Sequence, residues 1–306
     1  MTYFKALADE TRLRLLNVLA HFELNVNEIV DVMQMGQSRI SRHLKILADA
    51  NLVASRRDGL WVFYSLIKEG TGKEFVQANQ FLMESEPVLQ DDIRRTRQVI
   101  ADRSLKSVQF FDAIAGDWTA LKREIMGDFD LSGEIVRRIP KDGLTVDLGC
   151  GNGDLLHVLE GSGIPVIGVD RSIKMLEVAR KSSENGGLEF DLRIGELEHL
   201  PLRDREVGTA ILNMVLHHLH SPIDCLKEVH RVLEPRGTLI IAEFLAHNNE
   251  YMRQKYHDRW LGFTQEKIGQ WLRESGFSLQ HSTNHELEQG LVLCIYESQK
   301  KETKHH

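Results

Sequence analysis

Residues 146–153 read Val146-Asp147-Leu148-Gly149-Cys150-Gly151-Asn152-Gly153. An apolar run enters a loop with glycine at every second position, and a helical segment follows. This is a strand-to-helix junction where the backbone turns tightly and lies close to a ligand. The spacing is G-x-G-x-G, not the G-x-G-x-x-G of a dinucleotide site. Asp147 precedes the loop, where a carboxylate repels a pyrophosphate and attracts an amino group or a sulfonium. Asp170 follows Gly149 by 21 residues, at the end of the next apolar run. From that place an acid grips a ribose diol.

Further apolar runs surround this loop at 144–149, 165–170, 188–195, 207–215 and 238–244. Helical segments separate them, which predicts a parallel sheet covered on both faces. The tail over 277–298 reads as two more strands joined by a loop, one of them antiparallel at the end of the sheet.

The chain has 306 residues, 42% hydrophobic and 27% charged. That profile fits a soluble globular protein of about two domains. Three cysteines exclude a disulfide scaffold and fit a reducing, cytoplasmic setting. No apolar stretch is long enough to span a bilayer. Charges interrupt the first 16 residues, so they do not read as a signal peptide. His305-His306 are set aside as the stub of a purification tag.

The net charge is −7, but it is uneven: residues 1–66 hold eight basic and seven acidic residues. Within 38–58, Arg39, Arg42, Lys45, Arg56 and Arg57 face only Asp49 and Asp58. The first 66 residues predict three helices and a hairpin. Leu7, Leu15, Leu16 and Leu19 mark the first helix, and Ile29, Val32 and Met33 the second. The third, from Ser38 after Gly36, carries two stripes. Ile40, Leu44 and Leu47 face the core. Ser38, Ser41, Arg42 and Lys45 share another face that offers donors and positive charge, as a helix in a DNA major groove does. Asp58-Gly59 predicts a tight hairpin turn, with Arg56 and Arg57 beside it. Residues 71–106 read as a packing helix and then an exposed connecting helix over the charged run from Asp91 to Arg103.

The segments ALADETRLRLLNVLA, SRISRHLKILADANLV and RRDGLWVFYSL resemble the ArsR/SmtB winged-helix repressors, over about residues 1–85. The resemblance implies a homodimer on a pseudo-palindromic operator, with Gln37, Ser38, Arg39, Ser41, Arg42, Lys45, Arg56 and Arg57 at the DNA. The arsenic-sensing members of that family carry paired cysteines where this sequence has Asn25 and Asn27. Neutral amides do not replace thiolates for As(III), so metalloid sensing there is not expected.

Residues 107–298 resemble the class I S-adenosylmethionine-dependent methyltransferases. Beyond the glycine loop, Val169-Asp170, Gly195-Glu196, Leu200-Pro201, the run Ala210 to Leu219 and Leu233-Glu234-Pro235-Arg236-Gly237 carry the likeness. The resemblance implies an S-adenosylmethionine or S-adenosylhomocysteine site. It is built from Asp147, Gly149, Cys150, Gly151, Asn152, Gly153, Asp170, Arg171, Met175, Gly195, Glu196, Leu197 and Asn213. Phe111 and Trp118 belong to the helix that closes over the cofactor. The fold expected is thus an α+β winged helix-turn-helix domain (1–85), a helical connector (86–106) and an α/β Rossmann-like class I methyltransferase domain (107–300).

His217 and His218 end the fourth strand and are the candidate catalytic bases. With His220 they raise the question of a metal. No acid or cysteine stands at ligand spacing, so none is expected. Asn213-Met214-Val215-Leu216 lacks the N-P-P-Y motif of base-amino methylation, and Cys150, Cys225 and Cys294 do not form an arsenite-holding set. The segment from Tyr251 to Phe263 is expected to overhang the cleft. Two functions stay open. One is a transcription regulator that senses an S-adenosyl ligand, similar to ArsR-type repressors that respond to S-adenosylhomocysteine and control methionine-cycle genes. The other is an active small-molecule methyltransferase that also binds DNA.

Overall fold

The computed structural model describes residues 2–302 except 85, 141, 257, 288 and 289. His305-His306 lie outside the described residues. The chain divides into two units, Met1–Lys106 and Ser107–His306.

The first unit holds α1 (Thr2–Leu7), α2 (Glu10–His21), β1 (Leu24–Asn25), α3 (Val26–Met33), α4 (Gln37–Asp49), β2 (Val53–Asp58), β3 (Trp61–Leu66) and α5 (Thr71–Glu84). The next helix, α6 (Pro87–Ile114), begins in this unit and runs into the second. The first predicted helix is two. Asp9 breaks it, because its side chain accepts the Arg12 N–H at 3.1 Å and caps α2. Asn25 caps α3 in a capping box with Glu28: Oδ1 accepts the Glu28 N–H at 3.0 Å, and the Glu28 carboxylate accepts the Asn25 N–H at 2.8 Å. On α4, Ile40, Leu44 and Leu47 are fully buried and join Leu15, Leu16, Ile29 and Val32 in one core.

The three-stranded sheet runs β1-β3-β2, all antiparallel. Asp58 pairs with Trp61, so Gly59 and Leu60 form the hairpin tip, one residue later than the Asp58-Gly59 turn expected from sequence. Gly59 takes φ +56°, a value glycine adopts freely. The expected exposed connector is corrected at its start. Leu89, Asp92 and Thr96 of α6 are buried, and both Asp92 oxygens are held by Arg14, at 2.7 and 2.8 Å. Such a partner offsets the cost of burying an ionised carboxylate.

The second unit continues with α7 (Trp118–Met126), α8 (Leu131–Val136), β4 (Thr145–Leu148), α9 (Asp154–Gly161), β5 (Val166–Asp170), α10 (Ile173–Asn185), β6 (Asp191–Ile194) and β7 (Val207–Asn213). A 3-10 turn (Leu216–His218), α11 (Pro222–Val232), β8 (Leu233–Phe244), α12 (Glu250–Tyr256), α13 (Gln265–Glu274), β9 (Phe277–Glu286) and β10 (Val292–Lys300) complete it. The sheet order is β6-β5-β4-β7-β8-β10-β9. The pairs from β6 to β8 are parallel, and β10 runs antiparallel to both neighbours. Strand order reverses at β4, which has β5 on one side and β7 on the other. In open α/β sheets a ligand crevice forms at that switch, outside the carboxyl ends of the strands. Successive residues of a strand supply opposite cores: Ala210 and Leu212 one, Ile211 the other.

Candidate functional site

The cavity of the second unit opens at that switch point. Asp147, Gly149, Cys150, Gly151 and Asn152 line it, with Asp170, Arg171, Met175, Gly195, Leu197 and Asn213. Phe111, Trp118, His217 and His218 line it too. Of the residues expected at the cofactor, Gly153 and Glu196 are not at its wall. Gly153 is the α9 N-cap in the left-handed region, where an added Cβ would stand 3.0 Å from Ala179 Cβ. Glu196 is exposed, and Glu198, which sequence reading passed over, faces the cavity instead. Burial raises the Glu198 pKa.

The glycine loop has a physical reason at its first position. Gly149 has φ +77°, and a Cβ there would come within 2.6 Å of Val215 Cγ2. Its N–H and that of Cys150 donate to the Val169 carbonyl at 2.7 and 3.0 Å, tying the loop to β5. Asp170, at the end of β5, accepts the Gly151 N–H at 2.9 Å and the Ser172 N–H at 2.8 Å. Burial nevertheless raises its pKa. Ser172 caps α10 and donates its hydroxyl to Asp112 at 2.5 Å.

Asp147 has no such support. It is 1% exposed, and its Oδ1 has no hydrogen-bond partner among the described residues. Burial pushes its pKa up to about 7; Lys122 opposes the shift and Asp170 adds to it. A buried carboxylate without a partner is costly, and the raised pKa lessens that cost by favouring the neutral acid near pH 7.

His217 and His218 sit in the 3-10 turn after β7. The Nδ1 of His217 lies 2.8 Å from Glu243 Oε1, on fully buried Glu243 of β8. Burial disfavours the imidazolium, but the Glu243 and Asp258 carboxylates outweigh it and hold the His217 pKa at about 9. An imidazolium at neutral pH does not accept a proton. The His218 ring packs edge-on against Phe111, with ring centres 4.9 Å apart. The expectation that no acid meets these histidines is corrected. Asp258, from the segment after α12, reaches both of them and faces the cavity. The overhanging segment also brings Met252 and Tyr256 to the cavity wall, and Lys255 pairs with Glu124 of α7 at 2.7 Å. His257 lies outside the described residues. Asp258 was missed because its distance along the chain gives no local signal.

In the first unit, Gln37, Ser38, Arg39, Ser41, Arg42 and Lys45 are all exposed on α4. The two hairpin arginines differ. Arg57 is exposed, whereas Arg56 pairs with Glu23 at 3.2 Å and Asp58 at 2.9 Å and lies over the Phe63 ring. Arg56 therefore has intramolecular partners that compete with a phosphate.

Residues 9–55 match the family model for bacterial regulatory proteins of the arsR family, and residues 146–241 match that for a methyltransferase domain. The arsenic resistance transcriptional regulator ArsR1 of Pseudomonas putida is 43% identical over 67 residues, 22% of this chain and 52% of that protein. The ubiquinone biosynthesis O-methyltransferase of Roseobacter denitrificans is 29% identical over 130 residues, 42% of this chain and 52% of that protein. The chain thus spans about half the length of these curated relatives. A solved SAM-dependent methyltransferase of Thermotoga maritima, described as a possible histamine N-methyltransferase, shares the fold. Its TM-score is 0.50 at 23% identity, over 64% of this chain and all of that one. The chain joins an arsR-family helix-turn-helix domain to a Rossmann-like class I methyltransferase domain. Among the described residues no helix is long and apolar enough to cross a membrane.

Proposed function

We propose that this chain is a DNA-binding transcriptional repressor that senses S-adenosylhomocysteine or S-adenosylmethionine and controls genes of the methionine cycle. The observation that carries this reading is the unpartnered Asp147 carboxylate at the wall of the methyltransferase-type cavity, in a chain that also presents the exposed face of α4. Asp147 meets the positive end of the ligand and Asp170 its ribose. Gln37, Ser38, Arg39, Ser41, Arg42 and Lys45 meet DNA, with Arg57 and Arg56 at the wing. The active species is a homodimer on a pseudo-palindromic operator, acting in the cytoplasm.

Linkage sets the mechanism. The ligand changes DNA affinity only by binding the DNA-free and DNA-bound shapes unequally. A tenfold change needs about 1.4 kcal/mol of that difference. The test is fluorescence anisotropy with DNA upstream of the gene, titrated separately with the two nucleosides at fixed salt, since salt alone moves affinity. One nucleoside is expected to shift operator affinity at least tenfold, and the other far less. If both bind and neither moves the DNA equilibrium, the sensor reading fails.

The second reading is a small-molecule methyltransferase with an autoregulatory DNA-binding half. His217 and His218 at the cavity and the O-methyltransferase relatives favour it. The raised His217 pKa counts against His217 as a base at neutral pH.

A further inference from the structure

We propose that His217, His218 and Asp258 form a binding site for a first-row transition-metal dication of the zinc class, with one coordination position open to the cavity. Asp258 Oδ1 lies 3.7 Å from His217 Nε2 and 3.7 Å from His218 Nδ1. All three donor atoms fall within 4.8 Å of one another. The two 3.7 Å separations are too long for hydrogen bonds. They are close to the roughly 3.4 Å between ligand atoms around a tetrahedral zinc with bonds of about 2.1 Å.

Three independent features support the geometry. First, Asp258 is 2% exposed and its Oδ1 accepts no hydrogen bond among the described residues. It is a buried carboxylate oxygen aimed at two imidazoles and at the cavity. Second, Glu243 binds the far side of His217. With the Nδ1 proton directed to Glu243, Nε2 releases its own proton to solvent when an ion binds and then presents its lone pair, the carboxylate–histidine–metal arrangement. Third, the backbone fixes the distant ligand in place. The N–H groups of Arg259 and Trp260 donate to the His217 carbonyl at 3.0 and 3.1 Å, which pins the chain just after Asp258 to the histidine turn.

Charge also balances, because a dication between Asp258 and Glu243 gives a neutral group. Of the two buried arginines near Asp258, Arg253 pairs with Glu250 at 2.9 Å and Arg259 lies with its guanidinium over the Trp260 ring. Two imidazoles and one carboxylate suit zinc, cobalt or ferrous iron better than magnesium or calcium. All three ligands line the cavity. Three protein ligands with a cavity-facing position are the pattern of an open site, which takes an oxygen or sulfur ligand, and not of a closed structural one.

The test uses the full-length protein, stripped with chelator and titrated with zinc chloride by isothermal calorimetry. Cobalt chloride is the visible-absorption probe. The variants are Asp258→Asn, His218→Gln and Glu243→Gln, each checked for its fold by near-UV circular dichroism. The terminal histidines stay in every protein, so their contribution cancels. One ion per chain is expected at this site, with at least tenfold weaker binding in Asp258→Asn and in His218→Gln. Glu243→Gln weakens binding by about tenfold to a hundredfold. Absence of stoichiometric uptake by the wild-type chain overturns the site. So does uptake, or a cobalt spectrum, that is the same in wild type, Asp258→Asn and His218→Gln.

Discussion

On α4, Ser38, Arg42 and Lys45 share one face because the helix repeats every 3.6 residues, and Ile40, Leu44 and Leu47 on another face hold the core. In the cavity, His217 and Asp258 stand 41 residues apart and meet only because β7, β8 and α12 are already in place. The first surface is exposed and assembled by local geometry. The second is buried and assembled by the whole sheet. The difference has an energetic consequence. Exposed charges act in high dielectric and can be removed one at a time at modest cost. Each buried group is held against a desolvation penalty, so its loss changes a large balance.

The largest expected effect therefore lies in the cavity. Asp147→Asn removes the charge and keeps the shape. Loss of one partner of a buried charge pair costs about 2–5 kcal/mol, so S-adenosyl affinity should fall by about thirtyfold or more. Affinity for operator DNA without ligand should not move. The same carboxyl sets a pH dependence. Its pKa is raised to about 7, so below that pH it is neutral in the empty protein and must lose a proton to meet a cation. Affinity should fall as pH drops through 7, approaching about tenfold per unit, and Asp147→Asn should abolish that slope. Calorimetry at several pH values reads both effects. An unchanged affinity in Asp147→Asn would remove Asp147 from the ligand site.

A smaller effect is expected on α4. Arg42→Ala should weaken operator binding by about 1–3 kcal/mol and leave S-adenosyl affinity unchanged. If Arg42 contacts phosphate, the salt dependence of binding should also lose about one unit of slope. Arg56 sharpens the contrast, since Glu23 and Asp58 already hold it. Anisotropy should show a smaller loss for Arg56→Ala than for Arg57→Ala. Equal losses would mean that Arg56 exchanges its partners for DNA.

How much could be read in advance follows the same division. The apolar and basic stripes of α4 were legible because helical period depends on neighbours in sequence. The glycine loop and Asp170 were legible because a strand–turn–helix unit is nearly local. The ion-paired Asp92 was not, because a charged run reads as solvent-facing until its partner, Arg14, is placed in space. Asp258 was not, because its partners lie across a sheet crossover. Glu198 was not legible, because which residue of this turn faces the cavity depends on the turn's direction, which composition does not encode.

The smallest expected effect tests a position that sequence likeness alone reads as a lost metalloid site. Asn25 and Asn27 stand where arsenic-sensing relatives carry thiolates, yet the two differ physically. Asn25 is 5% exposed and caps α3, whereas Asn27 is exposed. Replacing an N-cap asparagine with alanine costs about 1 kcal/mol, because one helical N–H is left without its acceptor. In Asn25→Ala the Glu28 N–H is that group, and it is buried, so water does not readily take the place of the amide oxygen. The Glu28 carboxylate still accepts the residue 25 N–H, which limits the loss to one side of the capping box. Asn27→Ala should change stability by less than about 0.5 kcal/mol. Urea unfolding of the two variants separates these outcomes. Equal shifts would remove the cap as the reason for asparagine at 25, and a shift confined to Asn25→Ala would show that this residue stabilises the start of α3 without any metalloid.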